Sequence, residues 1–506
     1  MASRSRIGPS VTLLVASLAT SAAFAQPETV ELRVMTFNIW YGGDQVNFAS
    51  AAEAIRKADA DIVGIQEPEG NLQRLAEAAG YAYVDTRRNI LSRYPLFDSG
   101  TGRRKTAGTA PAGITALDEE HLHAWVMVRP GEVVAVANTH LSSDLYGPEA
   151  IRDGATLDAV LATEKKQRLP EAEPLLALRR LPANTPVFLT GDFNTPSHLD
   201  WTTAMQRVRP QVIRYPVSWP VTRLLAEAGF KDSFREAHPD PTVAPGYTWT
   251  AGMPHPYVRP RETIDRIDYI FTAGPVDTLR SELIGEPAGD GVDVAIKPYP
   301  SDHRAVVSTF KVMPTAAPAL ISVEPRTVAR GADFLIRGFD PRSEGWRATI
   351  VPAGPVIAEP VLQVNEPVGA WRRATPVNSR NMAAGEYDAI LLGEDGREAA
   401  RTRFVVRETR AALTLLLPDS VRRPGLPLRV RWSNGPGNRH DAIGLFKIDA
   451  PVGEALTRTY VDARYSGEIE LATSTVEGPL PAGNYEIRFL RDDSPLIEAS
   501  LRVSLR

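Results

Sequence analysis

The chain has 506 residues, of which 43% are hydrophobic and 23% are charged, and its formal net charge is −4 at pH 7. This length exceeds what one ordinary hydrophobic core supports, so two to four domains are expected. The composition is that of a globular protein, the acidic balance excludes a general attraction to nucleic acid or anionic lipid, and the lack of cysteine excludes disulfides, thiolate metal sites and a cysteine nucleophile.

The first 25 residues have the pattern of a secretory signal peptide. Arg4 and Arg6 precede an apolar stretch from Val11 to Ala19, and Ala23-Phe24-Ala25 forms a small-x-small cleavage site. The alternative is an uncleaved membrane anchor, but this apolar stretch is short for a bilayer span and no stop-transfer segment follows it. We therefore expect cleavage near Ala25 and a bacterial periplasmic or secreted protein, with no membrane-spanning segment in the mature chain.

Residues 28–312 alternate between β-like and helical patterns, which indicates an α/β layered domain. The predicted strands are Glu31 to Phe37, Ile62 to Gln66, Val133 to Asn138, Val187 to Thr190, Ile267 to Phe271 and Ala305 to Phe310. The predicted helices are Phe48 to Ala58, Asn71 to Gly80, Leu157 to Lys166, Pro174 to Arg180 and Val221 to Gly229.

After this region the pattern changes to an all-β one. Met313 to Pro318 is rich in Pro and Ala and is interpreted as a linker. Short alternating strands follow, and Ala384-Gly385-Glu386-Tyr387-Asp388 recurs 98 residues later as Ala482-Gly483-Asn484-Tyr485-Glu486. This repeat predicts two tandem immunoglobulin-like β-sandwich modules over residues 319–407 and 411–506, although Gly-x-Tyr before a strand is also common turn chemistry.

Six short polar motifs lie at the ends of apolar stretches in the first 303 residues. They are Met35-Thr36-Phe37-Asn38, Ile65-Gln66-Glu67, Asn138-Thr139-His140-Leu141, Thr190-Gly191-Asp192-Phe193-Asn194, Arg266-Ile267-Asp268-Tyr269 and Ser301-Asp302-His303. Together they supply carboxylates, amides and two histidines. Metal-assisted hydrolysis of a phosphoester needs this inventory of hard oxygen ligands, an acid or base that titrates near neutrality, and donors for a phosphoryl oxygen.

Individual residues suggest parts of that chemistry. His140 and His303 are interpreted as a pair that flanks a phosphate, and Asp268, in a strand, needs a hydrogen-bond partner such as a histidine. Asp192 and Asn194 lie on either side of a phenylalanine, so an extended segment would point both side chains the same way.

In this order, the six motifs resemble the endonuclease/exonuclease/phosphatase superfamily, especially its deoxyribonuclease and sphingomyelinase branches. The resemblance covers roughly residues 30–312 and implies a four-layer α/β/β/α sandwich with Mg²⁺ or Mn²⁺ at one rim. It implies that Asn38 and Glu67 lie on the metal side, with Asp302 as a further metal-side carboxylate. It also implies that Asp192 positions or activates the attacking water and that Asn194 contacts the phosphate. His140 and His303 would flank the scissile phosphate, with Asp268 orienting His303.

Other residues carry weaker expectations. The loop containing Tyr146 and the segment around Trp249 are candidate substrate-binding elements, with packed turn aromatics as the alternative. His121 and His123 share one face of a predicted strand, and a structural role is favoured over a second metal site because no third ligand accompanies them.

The sequence therefore predicts an exported Mg²⁺-dependent phosphodiesterase that uses direct water attack. The alternatives are a phosphomonoesterase of the same superfamily and a surface-binding protein whose catalytic domain is inactive, with the C-terminal modules binding a surface, carbohydrate or protein. Double-stranded DNA is expected to be a poor substrate, because the chain is net acidic and its sequence shows no long basic stripe that could neutralise several phosphates. Binding of a polyanion would need a local basic patch. The candidates for such a patch are Arg87-Arg88, Arg103-Arg104-Lys105 and Arg259 to Arg266.

Overall fold

The computed structural model describes most of the chain after the predicted signal peptide. The described residues are 28–99, 122–250, 263–343, 345–353, 359–366, 373–416, 422–438, 440–461, 464–475, 478–492 and 494–506. The predicted signal peptide, His121 and Arg103-Arg104-Lys105 lie outside them. Among the described residues, no helix combines the length and hydropathy that a membrane crossing requires.

The first region is built from strands and short helices. Its strands are β1 (Val30–Asn38), β2 (Ile62–Gln66), β3 (Tyr83–Asp85), β4 (Ile90–Ser92), β5 (Leu96–Asp98), β6 (Ala124–Arg129), β7 (Glu132–His140), β8 (Val187–Asp192), β9 (Lys231–Asp232), β10 (Asp268–Ala273), β11 (Val276–Gly285), β12 (Val294–Ala295), β13 (Ala305–Val312) and β14 (Thr315–Ala316). Its α-helices are α1 (Phe48–Ala58), α2 (Leu72–Ala79), α3 (Gly147–Arg152), α4 (Leu157–Lys166), α5 (Arg168–Ala172), α6 (Thr203–Val208), α7 (Pro220–Glu227) and α8 (Ser233–Ala237), and 3₁₀ turns cover Tyr41–Gly43 and Glu173–Arg180.

Two sheets organise these strands. In the described chain, one sheet has the order β12-β11-β13-β1-β2-β4-β3, and the other has the order β5-β6-β7-β8-β10-β9 with β14 added beside β7. In each sheet two central strands are parallel, β1 with β2 and β7 with β8. Because the carboxyl ends of parallel strands lie at one edge of a sheet, the ends of these four strands can present side chains together.

Apolar side chains fill the spaces on both sides of each sheet. One buried cluster contains residues of both sheets, such as Leu32 and Phe310 from the first and Val136 and Phe188 from the second. A second cluster joins the outer face of the first sheet to α1 and α2. A third cluster joins the outer face of the second sheet to α7 and the 3₁₀ turn Glu173–Arg180. The sheets approach so closely that a Cβ at Gly64 would lie 2.0 Å from Thr190 Oγ1, which leaves no space for any side chain at position 64.

The observed elements confirm the predicted α/β alternation. Each of the six predicted strands and five predicted helices overlaps an observed element, although Pro174 to Arg180 is a 3₁₀ turn and not an α-helix. Asn47 begins α1 because its side chain accepts a hydrogen bond from Ser50 N at 3.2 Å. The prediction missed β6 and β11, each of which is the second strand from one edge of its sheet.

The segment Met313 to Pro318, interpreted as a linker, contains a short strand that pairs with the second sheet. Thr315 pairs with Val133 of β7, and Ala317 is buried and donates its N–H to Gly131 O at 2.8 Å. The absence of a periodic apolar pattern hid this short strand, because two residues of backbone pairing leave no pattern in the side chains.

Within the described part of the remaining chain, the elements are β-strands and one 3₁₀ turn at Val452–Glu454. Its strands are β15 (Leu320–Glu324), β16 (Thr327–Ala329), β17 (Asp333–Phe339), β18 (Trp346–Pro352), β19 (Leu362–Glu366), β20 (Thr375–Asn378), β21 (Gly385–Leu392), β22 (Glu398–Arg407), β23 (Ala412–Leu415), β24 (Leu428–Ser433), β25 (Ala442–Lys447), β26 (Thr457–Tyr460), β27 (Gly467–Leu471), β28 (Ser474–Thr475), β29 (Gly478–Pro479), β30 (Gly483–Leu490) and β31 (Ile497–Leu505). The strands β15 to β22 enclose one apolar cluster, and β23 to β31 enclose another.

The repeated motif takes equivalent positions in these two β units. It forms the start of β21 and of β30, each of which pairs with a strand on both sides. Tyr387 donates its hydroxyl to Ala383 O at 2.9 Å, and Tyr485 donates to Pro481 O at 2.7 Å. Both tyrosines thus satisfy the carbonyl four residues upstream.

Candidate active site

Strand register brings three of the motif residues side by side. His140 at the end of β7 is in register with Asp192 at the end of β8, and Asp192 is in register with Asp268 at the start of β10. In the other sheet, Asn38 at the end of β1 is in register with Gln66 of β2, directly before Glu67. The motifs that are far apart in sequence therefore meet at one rim.

His303 and Asp268 form a buried hydrogen-bonded pair. His303 Nδ1 lies 3.0 Å from Asp268 Oδ2, and both side chains are almost fully buried. Burial alone would lower the pKa of His303, but the charges of Asp268 and Asp192 hold it well above its ordinary value. This pairing fixes the ring and leaves Nε2 directed toward Asp192, at 3.7 Å from Asp192 Oδ2.

Asp192 lies between the two imidazole rings. Its Oδ2 is 3.4 Å from His140 Nε2, and it also accepts a hydrogen bond from Asn38 Nδ2 at 3.1 Å. Burial opposes ionisation of this carboxyl, yet His303 and His140 lower its pKa to about 2. The His140 side chain is 31% exposed, and the loss of water around its buried part is outweighed by Asp192, which raises the pKa of the imidazole to about 9. The site therefore holds a carboxylate between two imidazolium groups.

Glu67 is held beside this cluster by neighbouring N–H groups. Its Oε1 accepts from Asn38 Nδ2 at 3.0 Å, and its Oε2 accepts from the backbone N–H of Tyr41 at 2.9 Å. Glu67 itself has a left-handed φ of 54°, which is uncommon for a residue with a side chain and turns the carboxylate out of the strand direction. His140 Nε2 lies 3.9 Å from Glu67 Oε1, so this carboxylate borders the same cleft.

The sequence of this chain is similar to that of a known protein family. Residues 35–303, just over half of the chain, match the family model described as Endonuclease/Exonuclease/phosphatase family. The chain belongs to this family. An uncharacterized protein of Caenorhabditis elegans is 31% identical over an aligned length of 322, and the match covers 59% of this chain and 97% of that protein. Members of the family are hydrolases of phosphate esters, and they typically depend on a divalent metal.

Two solved structures of family members have limited similarity to this chain. An endonuclease/exonuclease/phosphatase from Beutenbergia cavernae is 19% identical and covers 74% of this chain and 99% of its own, with a TM-score of 0.33. An AP endonuclease from Archaeoglobus fulgidus is 17% identical and covers 55% of this chain and 98% of its own, with a TM-score of 0.32. Both the sequence identity and the structural similarity to this chain are low.

The donor set fits the divalent metal that is typical of the family. Asp302 Oδ1 and Asp268 Oδ1 are buried without a hydrogen-bond partner among the described residues, and such orphaned oxygens are costly unless a cation or water meets them. Burial raises the pKa of Asp302 to about 6, an effect that Glu67 reinforces. Atoms of Asp192, Asp268 and His303 also lie within 4.8 Å of one another. Hard carboxylate oxygens of this kind suit Mg²⁺ or Mn²⁺.

The structure corrects one expectation about Asn194. This residue does not lie in an extended segment, because its φ is 49° in the left-handed region. Its backbone N–H donates to Asp192 Oδ1 and its Nδ2 donates to Leu141 O, both at 2.9 Å. The prediction overlooked that asparagine tolerates this conformation and often forms the turn after a strand.

Three residues that the sequence interpretation did not select support the site. Thr248 Oγ1 accepts hydrogen bonds from the N–H groups of Ile267 and Asp268, at 3.0 and 3.2 Å. Tyr299 donates its hydroxyl to His303 O at 2.7 Å, and Ser301 donates to Asn38 O at 2.7 Å. Ser301 lies within a recognised motif, whereas Tyr299 carries no sequence signal other than its nearness to that motif.

The two predicted substrate-binding aromatics lie next to this cluster. Tyr146 and Trp249 form an edge-to-face pair with ring centroids 5.2 Å apart, and the Trp249 ring lies 6.4 Å from that of His303. His123, in contrast, is buried in an edge-to-face contact with Trp125, and its proposed companion His121 lies outside the described residues.

Two arginines of the candidate basic patches are not available to a polyanion. Arg88 is buried and paired with Asp85 and Asp98, and Arg266 is buried and paired with Asp200 and Asp232. Arginines paired in the protein interior do not release counterions from a nucleic acid. The adjacent candidate Arg259 to Arg261 lies outside the described residues.

The charge cluster predicts how the stability of the metal-free protein depends on pH. The pKa of His140 in the folded chain is about 9, above its ordinary value of 6.5, so its stabilising contribution is complete below pH 6.5 and disappears as the pH rises through 9. We expect the melting temperature in EDTA to fall between pH 6.5 and 9, and to fall less in His140→Gln. Equal slopes for both proteins in thermal melts would contradict the ion pair.

Proposed function

We propose that this chain is an exported, divalent-metal-dependent phosphodiesterase that hydrolyses its substrate by direct attack of water. The observation that carries this proposal is the position of the Asp192 carboxylate between His140 Nε2 and His303 Nε2. The proposal includes a four-layer α/β/β/α catalytic domain over residues 28–312, two immunoglobulin-like modules over 319–407 and 411–506, and cleavage of the signal peptide near Ala25.

The proposed roles follow from the charge that each group carries. Asp192 is the ionised carboxylate that orients the water molecule and accepts a proton from it as the water oxygen forms its bond to phosphorus. His140 and His303 are imidazolium donors for the phosphoryl oxygens and for the leaving oxygen, which takes a proton as its bond to phosphorus breaks. Asp268 keeps His303 oriented and charged, and Asn194 fixes the Asp192 carboxylate through its backbone N–H while its amide is the proposed contact for the phosphate.

The metal is proposed to bind on the Glu67 side of the cleft. Glu67 and Asp302 supply carboxylate oxygens, and Asn38 orients Glu67 through its amide. A bound Mg²⁺ or Mn²⁺ supplies Lewis-acid stabilisation of charge on the phosphoryl oxygens. Tyr146 and Trp249 are the proposed contacts for the group attached to the phosphate.

Removal of the metal is expected to abolish turnover. The proposed ligands are hard oxygens, so Mg²⁺ or Mn²⁺ should restore activity after EDTA treatment, whereas thiophilic metals should not. Initial rates before chelation, after it and after metal is added back provide the measurement. Full turnover after exhaustive chelation and desalting would remove the metal from the proposal.

Double-stranded DNA is expected to be a poor substrate. The chain is net acidic, and Arg88 and Arg266 are occupied by internal carboxylates, so few phosphates can be neutralised along a duplex. Nicking of supercoiled plasmid, followed on gels from 50 to 200 mM salt, is the measurement. Efficient nicking with a steep loss at high salt would contradict this expectation.

The two alternatives make different predictions in one assay. Purified full-length protein with Mg²⁺ is offered bis(p-nitrophenyl) phosphate and p-nitrophenyl phosphate. The proposal predicts faster hydrolysis of the diester. Faster hydrolysis of the monoester supports a phosphomonoesterase. Hydrolysis of neither ester, together with binding to a polysaccharide or a cell surface, supports an inactive binding protein.

A further inference from the structure

Asp265 is a buried carboxylate beside the site that the proposed reaction does not use. Its side chain is about 2% exposed, and burying a carboxylate is costly unless donors meet it. Asp265 Oδ2 accepts from the hydroxyl of Tyr146 at 3.1 Å, and Oδ1 accepts from Trp201 Nε1 at 3.1 Å. These donors offset the cost of burying the carboxylate. The carboxylate in turn holds the Tyr146 ring in one orientation.

The backbone of the same residue holds Trp249. Asp265 N donates to Trp249 O at 2.5 Å, and Trp249 N donates to Asp265 O at 2.9 Å. Trp249 also forms a β-bridge with His303. Asp265 therefore fixes Tyr146 through its side chain and Trp249 through its backbone, and the two half-buried rings form one wall beside the catalytic imidazole.

The charge around this wall favours a neutral ring over a further phosphate. Arg168 and Arg209 are cations near this wall, and Arg168 is paired with the buried Glu164. The guanidinium of Arg209 lies over the Tyr247 ring at 4.7 Å, and its Nη1 is 3.8 Å from Asp265 Oδ1. Its charge is thus already balanced by Asp265. Aromatic rings bind other rings face to face with an offset or edge to face, as Tyr146 and Trp249 do with each other.

We propose that Asp265 is a positioning residue that holds the Tyr146–Trp249 wall against His303, and that this wall selects phosphodiesters with a flat aromatic group next to the phosphate. The proposal rests on the proposed function for the site but adds a substrate class. Asp265 acts through the two rings and touches no reacting atom, so its loss should weaken binding of ring-bearing esters more than it lowers the rate of the chemical step.

Binding of two simple diesters to the full-length protein with Mg²⁺ tests this inference. Dissociation constants of diphenyl phosphate and dimethyl phosphate are measured by calorimetry for the wild type, Asp265→Asn and Tyr146→Phe, and each of these proteins also carries Asp192→Asn so that the diester is not hydrolysed during the titration. We expect the wild type to bind diphenyl phosphate about tenfold or more tightly than dimethyl phosphate. In both variants this ratio should fall several-fold, with binding of dimethyl phosphate unchanged.

Tyr81→Phe is the matched control. Tyr81 is a buried tyrosine of the same domain. Like Tyr146, it donates its hydroxyl in one hydrogen bond, to Ala60 O at 2.6 Å. The control should lower the melting temperature as much as Tyr146→Phe does, while keeping the wild-type binding ratio. Tyr146→Phe is the milder variant, because it removes one hydroxyl and leaves the charge of Asp265 paired with Arg209.

The outcomes separate this inference from the proposed function. A wild type with no preference for diphenyl phosphate, a ratio unchanged in both variants, or an equal loss for both diesters would overturn the role of the wall. Selective binding of diphenyl phosphate without hydrolysis of bis(p-nitrophenyl) phosphate would overturn the phosphodiesterase proposal and leave the aromatic wall standing.

Discussion

Replacement of His303 or Asp192 by alanine is expected to lower turnover by about a hundredfold or more, the usual cost of losing a positioned acid–base or transition-state group. Both side chains are almost fully buried, and their facing atoms lie 3.7 Å apart. Steady-state kinetics on a phosphodiester with saturating Mg²⁺ give the measurement. His198→Ala is the control, because His198 contacts Thr222 and not the cluster, and it should retain most of the activity.

The dependence of His303 on Asp268 has its own test. Asp268→Ala alone should cause an intermediate loss, because Asp268 acts by orienting and charging the imidazole. The double variant Asp268→Ala/His303→Ala should be no worse than His303→Ala, since the partner no longer has a ring to orient. Losses that add in the double variant would assign Asp268 an independent role.

Asp98→Ala is expected to have the largest effect on stability. Asp98 belongs to the catalytic region, its side chain is fully buried, and it pairs with Arg88 of the same region at 2.7 Å. It also pairs with Arg326 at 2.5 Å and accepts from Thr402 Oγ1 at 2.9 Å, both in the first β unit. Without Asp98, Arg88 retains its pair with Asp85, and the largely buried Arg326 loses this carboxylate partner; breaking a buried pair on one side costs about 3–5 kcal/mol. Urea unfolding of the full chain gives this free energy.

The control for Asp98 is a pair on the surface of the second β unit. Glu468 pairs with Arg429 and Arg431, and all three side chains are exposed. Glu468→Ala should change the unfolding midpoint little, because water screens such pairs. Equal shifts of the unfolding midpoint for Asp98→Ala and Glu468→Ala would mean that the contact between the catalytic region and the first β unit adds nothing to stability. If Asp98→Ala has the larger shift, activity assays should use the full chain and not residues 28–312 alone.

The central strands of the catalytic fold could be predicted because they are buried on both faces. β2 begins with the apolar residues Ile62 and Val63, β8 begins with Val187-Phe188-Leu189, and each ends in a polar residue. This transition marks both the strand and the rim. Short pieces such as β9 and β14 could not be predicted, because they are defined by backbone pairing to distant strands rather than by a pattern of their own.

The site was predictable in its residue types and less so in its geometry. His140, Asp192 and His303 could be selected from their motifs, but only the strand register brings Asp192 between the two rings. The supporting roles of Thr248 and Asp265 are defined by contacts across segments about 20 to 120 residues apart, and no local sequence pattern encodes such contacts. The conformation of Asn194 likewise depends on the turn that follows β8.

Hydrolysis of bis(p-nitrophenyl) phosphate by the full-length protein tests the central proposal most directly. The comparison includes the wild type with Mg²⁺, the wild type after EDTA treatment, and Asp192→Asn with Mg²⁺, each with its melting temperature. The proposal predicts turnover by the wild type with Mg²⁺, and a loss of about a hundredfold or more in the folded variant and after chelation. Turnover by folded Asp192→Asn at the wild-type rate would contradict a reaction centred on Asp192.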